Sequence, residues 1–388
     1  MIMKKSFDPQ CITFSQMDLI FNTRTYYRRL TTWISEYMIS RYHGDETAAD
    51  LFSRLYFESL NVGKMQEIIL GREISEQYSQ YLSQYVITLN NLISAQLDGD
   101  MEAVNIYVEQ LYEIIAQEAA FLDNINPYWD YFEYYNLFAA YTQYIIEMAN
   151  AIAAGDFSKI ITLYDLLGDI NNIMGDILAQ GLYQYITAGV DVDYSTREDI
   201  QCISYDQMNT IYKIRIFWFE LVTWVRNYML SRYLGLGNTE VVLERLRQVP
   251  VDYVNELREI FGDQVSDDYL DLFNTYIDLI VAFIDAQIEG NIEEINRITQ
   301  LFYEDEYQRA AFLAAINPFW DEQELRNRLR NLLQATIDES TTFLAGDYAR
   351  NIDIFSRLLD QAESMSYYLA QGLFDYISYT HQEIPINA

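Results

Sequence analysis

A chain of 388 residues that is 51% apolar is long enough to bury more than one core and too apolar to be disordered throughout. Its net charge of −33 rules against nucleic-acid binding, which needs a basic face to neutralise phosphates, and disfavours adsorption to anionic membranes. No apolar run of about 18 residues free of charge occurs, so no transmembrane helix is expected, and the basic start, Met1 to Ser6, leads into no apolar segment of the kind a secretory signal needs.

In chain order, residues 1–13 are a short lead-in. The first predicted helix begins at Ser15, read as its N-cap, with Asp206 as counterpart in the second half of the chain. It runs about 27 residues to Tyr42 and stops at Gly44. Met17, Ile20, Phe21, Tyr27, Trp33, Ile34 and Tyr37 recur along it at helical spacing. A helix this long with so broad an apolar face reads as the central member of a bundle.

Two short helices are expected next, at 47–59 and 62–70. The break between them is inferred from Pro250, which stands in the second half where Ser59 stands in the first. A third helix spans 73–97 and ends at Gly99, and a fourth spans 101–124 and stops at Ile125-Asn126-Pro127. A fifth begins near Trp129-Asp130 and ends before Gly155. A sixth begins after Asp156 as N-cap and ends near Ile186. Residues 187–201 read as a linker.

The plan then repeats at an offset of 191. Cys11, Arg24, Thr32-Trp33, Gln96, Ile125-Asn126-Pro127, Trp129-Asp130 and Leu178-Ala179-Gln180-Gly181 recur as Cys202, Arg215, Thr223-Trp224, Gln287, Ile316-Asn317-Pro318, Trp320-Asp321 and Leu369-Ala370-Gln371-Gly372. The chain is therefore read as two tandem copies of an all-α helical bundle, 11–194 and 202–386, related by pseudo-two-fold symmetry. The tail is 378–388. No stretch alternates with period two for long, so strands are not expected.

Few residues point to chemistry. The two histidines, His43 and His381, stand opposite Leu234 and Val190, so neither belongs to the duplicated design. No zinc or di-iron pattern, phosphate loop, dinucleotide fingerprint or nucleophile elbow is present, and no cofactor is expected. The polar residues shared by both copies are the candidates: Arg24 and Arg215, Glu113 and Glu304, Gln96 and Gln287. An arginine in an apolar helix stripe must find a carboxylate or several carbonyls, so Arg24 is matched with Glu113 as an internal ion pair. Two readings stay open: a structural network, or a pocket in which Arg24 or Arg215 grips a ligand.

From Glu73 to Ser158 the chain has 13 acidic residues and neither Lys nor Arg. This reads as a solvated acidic face, with docking of a basic partner and weak divalent-cation binding as sharper alternatives. The 34 tyrosines, clustered for example at Tyr131, Tyr134 and Tyr135, read either as core-margin residues or as a sticky surface for self-association or a protein partner. The two cysteines, at the same position in each copy, read as small half-buried side chains just before a helix, which fits a reducing cytoplasm; packing of the copies about a pseudo-two-fold axis, which would let the two thiols meet, is the lesser alternative. The copies differ at Glu118, replaced by Arg309, and around Tyr134-Tyr135, replaced near Glu324-Leu325-Arg326. Both differences are read as surface drift.

The Ile-Asn-Pro-aromatic-Trp turn, the Gly-Asp helix start and the Thr-Trp first helix resemble those of small single-repeat helical proteins of spore-forming Gram-positive bacteria, some of which carry an acetylglutamate kinase label. The resemblance implies an all-α bundle and no activity. Kinase chemistry would need a phosphate-cradling loop with basic residues on the phosphates, which this sequence lacks. The expectation is a non-catalytic structural or interaction protein. A small-ligand or cation carrier with a pocket in each bundle is the first alternative, and an enzyme of unknown class the second.

Overall fold

The computed structural model describes residues 6–64, 66–188 and 201–383, with side chains to Tyr379. The linker interior at 189–200, the end of the tail at 384–388, the first residues of the basic start and the side chain of His381 lie outside the described residues. The fold is all-α. The helices are α1 (Phe14–His43), α2 (Ala48–Lys64), α3 (Glu67–Leu70), α4 (Arg72–Asp98), α5 (Met101–Ile125), α6 (Tyr131–Ala154) and α7 (Phe157–Thr187), then α8 (Tyr205–Leu234), α9 (Thr239–Phe261), α10 (Asp263–Glu289), α11 (Ile292–Ile316), α12 (Glu322–Leu344) and α13 (Tyr348–Glu383). Both ends of α8, α10 and α11 lie 191 residues beyond those of α1, α4 and α5. The chain forms two compact units. Residues 6–8 and 15–188 make unit 1, and residues 9–14 and 201–383 make unit 2.

Local chemistry sets the boundaries. Gly99 and Gly290 take the left-handed conformation at φ 71° and 68°, and each N–H closes the last turn of its helix. Asp100, Asp130 and Asp156 each accept a hydrogen bond from the backbone N–H three residues on. The cap of α8 is Ser204, not Asp206: its hydroxyl accepts from the Gln207 N–H while the Gln207 side chain accepts from the Ser204 N–H.

The expected break near Ser59 is absent. α2 runs unbroken to Lys64 and α9 runs through Pro250. A proline removes one ladder bond and crowds the preceding turn. Here Leu246, Val249, Tyr253, Val254 and Leu257 are all buried, and packing on both sides of Pro250 holds the helix together.

Within unit 1, α1 is central, and every residue from Tyr27 to Met38 is buried. Its polar groups therefore need partners from the surrounding helices. The Tyr27 hydroxyl meets that of Tyr78 on α4 at 2.9 Å, Thr31 meets Tyr141 on α6 at 2.9 Å, and Thr32 meets Tyr164 on α7 at 2.8 Å. Arg29 donates to Glu58 on α2 at 3.0 Å. Much of the tyrosine content thus belongs to the core, where a ring fills space and its hydroxyl satisfies a neighbour. Tyr134 is fully buried, while the half-buried Tyr131 and Tyr135 stack on each other with ring centres 5.9 Å apart.

The shared turn and the shared Gln-Gly segment form one joint in each unit. Asn126 Nδ2 donates to the Gly181 carbonyl at 3.0 Å, and Asn317 Nδ2 donates to that of Gly372 at 3.1 Å. The Trp129 indole lies so close to Gly181 that a Cβ there would fall 1.8 Å from Nε1; at Gly372 it would fall 2.2 Å from Trp320 Nε1. The identities common to both copies at these positions follow from this packing.

Unit 2 contains a small sheet that the sequence pattern does not reveal. Strand β1 (Ile12–Thr13) pairs antiparallel with β2 (Cys202–Ile203), with Ile12 opposite Ile203 and Thr13 opposite Cys202. Beside it Cys11 and Cys202 form a disulfide with Cα atoms 5.0 Å apart. The free-thiol reading is therefore wrong. The strand pairing brings the two half-buried cysteines together, and the ground for inferring a reducing compartment goes with it. Among the described residues no helix is long and apolar enough to cross a membrane.

Candidate functional site: a buried carboxylate in unit 1

The structure gives the shared polar residues separate partners. Arg24 is buried but faces α7, where it makes a two-pronged ion pair with Asp176, Nε to Oδ1 at 2.5 Å and Nη2 to Oδ2 at 2.8 Å. Gly175 allows this approach, since a Cβ there would stand 2.5 Å from the Arg24 Cα. Glu113 is exposed on α5 and takes no part in the pair, so the Arg24–Glu113 match is wrong. In unit 2 Arg215 is also buried, and its carbonyl accepts a hydrogen bond from Ser366, the residue standing where unit 1 has Gly175. Glu304 is exposed like Glu113. Gln96 accepts from the Tyr42 hydroxyl and donates to Asn150 at 3.0 Å, and Gln287 accepts from Tyr233 at 2.8 Å and from Ser340. These glutamines join helices.

The polar group that stands out is Glu118 on α5. It is 3% exposed, and Leu111, Ile115, Ala119 and Leu122 continue the same buried stripe at helical spacing. The other 12 acidic residues between Glu73 and Ser158 are exposed or half-exposed, so the acidic surface exists and Glu118 is not on it. Reading Glu118 and Arg309 as surface drift is wrong, because both side chains are buried. Tyr134 and Leu325, equivalent positions in the two copies, are core residues as well.

Glu118 lines an internal cavity of about 30 Å³ together with Tyr27 and Leu30 of α1, Leu82 and Tyr85 of α4, Ile115 of α5, Phe138, Tyr141 and Thr142 of α6, and Met174 of α7. All of these side chains are buried. That volume holds roughly one or two water-sized groups. The Tyr78 hydroxyl acts on the Glu118 carboxyl as a hydrogen-bonding neighbour that favours its ionised form, and Oε1 has no partner among the described residues. The Tyr134 hydroxyl nearby is likewise without one. Tyr85 donates to Thr142 Oγ1 at 3.2 Å.

Among the described residues no cation is paired with Glu118. Its charge acts on the hydroxyls of Tyr27, Tyr78, Tyr85 and Tyr134. Burial pushes its pKa up to about 8, and the Tyr78 hydrogen bond offsets only part of that rise. Among the described residues no cluster of three or more His, Cys, Asp or Glu is arranged to hold a metal ion.

Unit 2 handles the same position differently. Arg309 stands where Glu118 does and pairs within α11 with Asp305 at 2.7 Å, both side chains being 3% exposed. Its guanidinium lies 4.4 Å from the centre of the Tyr276 ring and 5.6 Å from that of Phe273. Tyr276 is the counterpart of Tyr85. Trp218, Leu332 and Leu333 take the positions of Tyr27, Tyr141 and Thr142, so three hydroxyls of unit 1 are absent from unit 2. No family model matches this chain, and neither a curated protein nor a solved structure matches it.

Two expected outcomes follow. Because the folded protein holds a proton on Glu118 that the unfolded chain releases above about pH 4.5, stability falls as pH rises from there to about 8 and then levels off. The Glu118→Gln variant lacks this loss, so denaturant titrations should give a wild-type-minus-variant difference falling by roughly 1 kcal/mol per pH unit across that window. For Arg24, a double-mutant cycle of Arg24→Leu with Asp176→Leu should show coupling of about 1–3 kcal/mol, while Arg24→Leu with Glu113→Leu should be additive.

Proposed function

We propose that the chain is a non-catalytic binding protein in which unit 1 holds a very small polar ligand in the cavity beside Glu118, while unit 2 places an Arg309–Asp305 ion pair at the equivalent position. The observation that carries this reading is the Glu118 carboxyl, 3% exposed, with one oxygen unpartnered and lining a cavity. Leaving a buried acceptor unpaired is destabilising by about 1–3 kcal/mol and a buried charge by more. Natural cores retain such a group where it serves a ligand more readily than where it serves packing alone. Unit 2 indicates what packing alone requires at this place: a carboxylate and guanidinium that neutralise each other.

A cavity sized for one or two water-like groups also weighs against catalysis on a larger substrate, so the carrier or sensor alternative is preferred over an enzyme. The reading differs from the sequence expectation in three ways. The pocket belongs to unit 1, its polar group is an acid, and Arg24 is committed to Asp176. On compartment, we read the Cys11–Cys202 bond as favouring an oxidising environment over the cytoplasm. A basic or self-associating partner on the acidic surface is compatible with this reading and independent of it.

The test copies unit 2 into unit 1. Thr142→Leu with Tyr141→Leu fills the cavity with the residues found at 333 and 332. Thermal unfolding is followed with a panel of one- to three-heavy-atom solutes: ammonium, methylammonium, formamide, methanol and urea at sub-denaturing concentration. At least one should raise the wild-type midpoint by about 2–4 °C at tenfold over its Kd and leave the filled variant unmoved. Parallel shifts in both proteins for every solute would refute an internal site.

A further inference from the structure

The two units share a frame at this place and differ in who supplies the charges. In unit 2 a cation, Arg309, is seated against the aromatic face of Tyr276, with Asp305 as its counter-charge. Unit 1 keeps the aromatic frame through Tyr85 and through Tyr27, which stands where unit 2 has Trp218, and adds Phe138 and Tyr141 where unit 2 has Leu329 and Leu332. It also keeps a carboxylate, in Glu118. It supplies no side-chain cation to go with them, because α5 has Glu118 where α11 has Arg309 and no basic side chain lines the cavity.

We propose that the unit 1 cavity binds a small monovalent cation carrying N–H donors, ammonium or methylammonium, with Glu118 as the counter-charge. Three features select this class. Size comes first: a cavity with room for one or two water-sized groups admits ammonium or methylammonium and excludes a quaternary ammonium or a guanidinium. Donor chemistry comes second. The unpartnered Glu118 Oε1 is an acceptor, and the hydroxyl oxygens of Tyr27, Tyr85, Tyr141 and Thr142 add acceptor capacity. A ligand with several N–H groups can use all of these at once, and charge-assisted hydrogen bonds to a carboxylate are among the strongest available. Third, the buried rings of Tyr27, Tyr85, Phe138 and Tyr141 line the cavity, and an aromatic ring presenting its face to a cation attracts it through its quadrupole. A bare alkali ion would instead require most of its shell from oxygen ligands, and the remaining lining, Leu30, Leu82, Ile115, Phe138 and Met174, is apolar.

Binding the cation needs Glu118 ionised, so the ion replaces the proton on this carboxyl. The titratable groups about Glu118 and its cavity are Tyr27 from α1, Tyr78 and Tyr85 from α4 and Tyr134 and Tyr141 from α6; α7 contributes the apolar Met174 to the cavity. Burial holds all five phenols above their ordinary range, so they stay neutral and the exchange is carried by Glu118. Affinity therefore rises with pH up to the range in which the folded carboxyl has lost its proton.

This proposal rests on the internal-site reading above, and the experiment separates the two. The full chain is melted at constant ionic strength in sodium, ammonium, methylammonium or tetramethylammonium chloride, and with formamide as a neutral N–H donor, at about pH 6 and about pH 8.5. Ammonium or methylammonium should raise the wild-type midpoint by about 2–4 °C over sodium at tenfold over Kd, more at the higher pH, with no such shift from tetramethylammonium. The shift should vanish in Glu118→Gln, which keeps the side chain's shape, and in the cavity-filled Tyr141→Leu/Thr142→Leu variant. Shifts no larger than those of sodium, or shifts retained in Glu118→Gln, would overturn the cation. A formamide shift confined to the wild type alongside an inert ammonium would also overturn it while leaving the internal site standing.

Discussion

A helix buried on every side with polar residues along it needs each polar group met from a neighbouring element. In unit 1 that requirement falls on α1. Thr31 and Thr32 bond back to carbonyls in their own helix and also meet the hydroxyls of Tyr141 and Tyr164, and Tyr27 meets Tyr78. Phenols suit this work because one side chain both fills the core and reaches a polar partner. The abundance of tyrosine and the position of the central helix are thus two views of one constraint. Arg24 with Asp176 and Arg29 with Glu58 meet the same requirement with charges.

Within this pairing, Glu118 is set apart as a buried carboxyl with no ion-pair partner among the described residues. In unit 2 the equivalent position holds Arg309, paired with Asp305, and Trp218, Leu332 and Leu333 stand where unit 1 has hydroxyls. Unit 1 presents the opposite charge among hydroxyls and leaves a cavity beside it.

Much of this was legible in the chain and some was not, for identifiable reasons. The helix limits followed from Gly99, Gly155, Asp100 and Asp156, whose roles are local and depend only on a few neighbouring residues. The Asn-Pro-Trp turn and the Ala-Gln-Gly segment were visible as shared anchors, though only the structure joins them across 55 residues. Pro250 misled because a proline's local effect yields to tertiary packing on both flanks. The disulfide is only the lesser reading of the sequence because pairing two thiols 191 residues apart depends on where the chain returns. Looking for residues common to both copies also worked against the site. Asp176 faces Tyr367 in the alignment of the copies and Glu118 faces Arg309, so that filter removed the true partner of Arg24 and the buried acid together. One signal was present all along: Leu111, Ile115, Glu118 and Leu122 recur at helical spacing, which sets Glu118 on the buried stripe of α5 and Glu113 off it.

The acidic surface and the buried acid call for separate explanations. Exposed carboxylates share one high-dielectric environment, where they keep the chain soluble and their interactions are screened by salt. Glu118 sits among rings and aliphatic groups, where its ionisation is governed by burial. The most direct test is the carbon-13 NMR titration of the Glu118 side-chain carboxyl in glutamate-labelled protein, assigned by the resonance lost in Glu118→Gln. A midpoint near pH 8 would match a buried, uncompensated acid at the cavity. A midpoint in the ordinary glutamate range, about 4.3, would mean that the carboxyl is solvated or paired with a cation and would contradict the account.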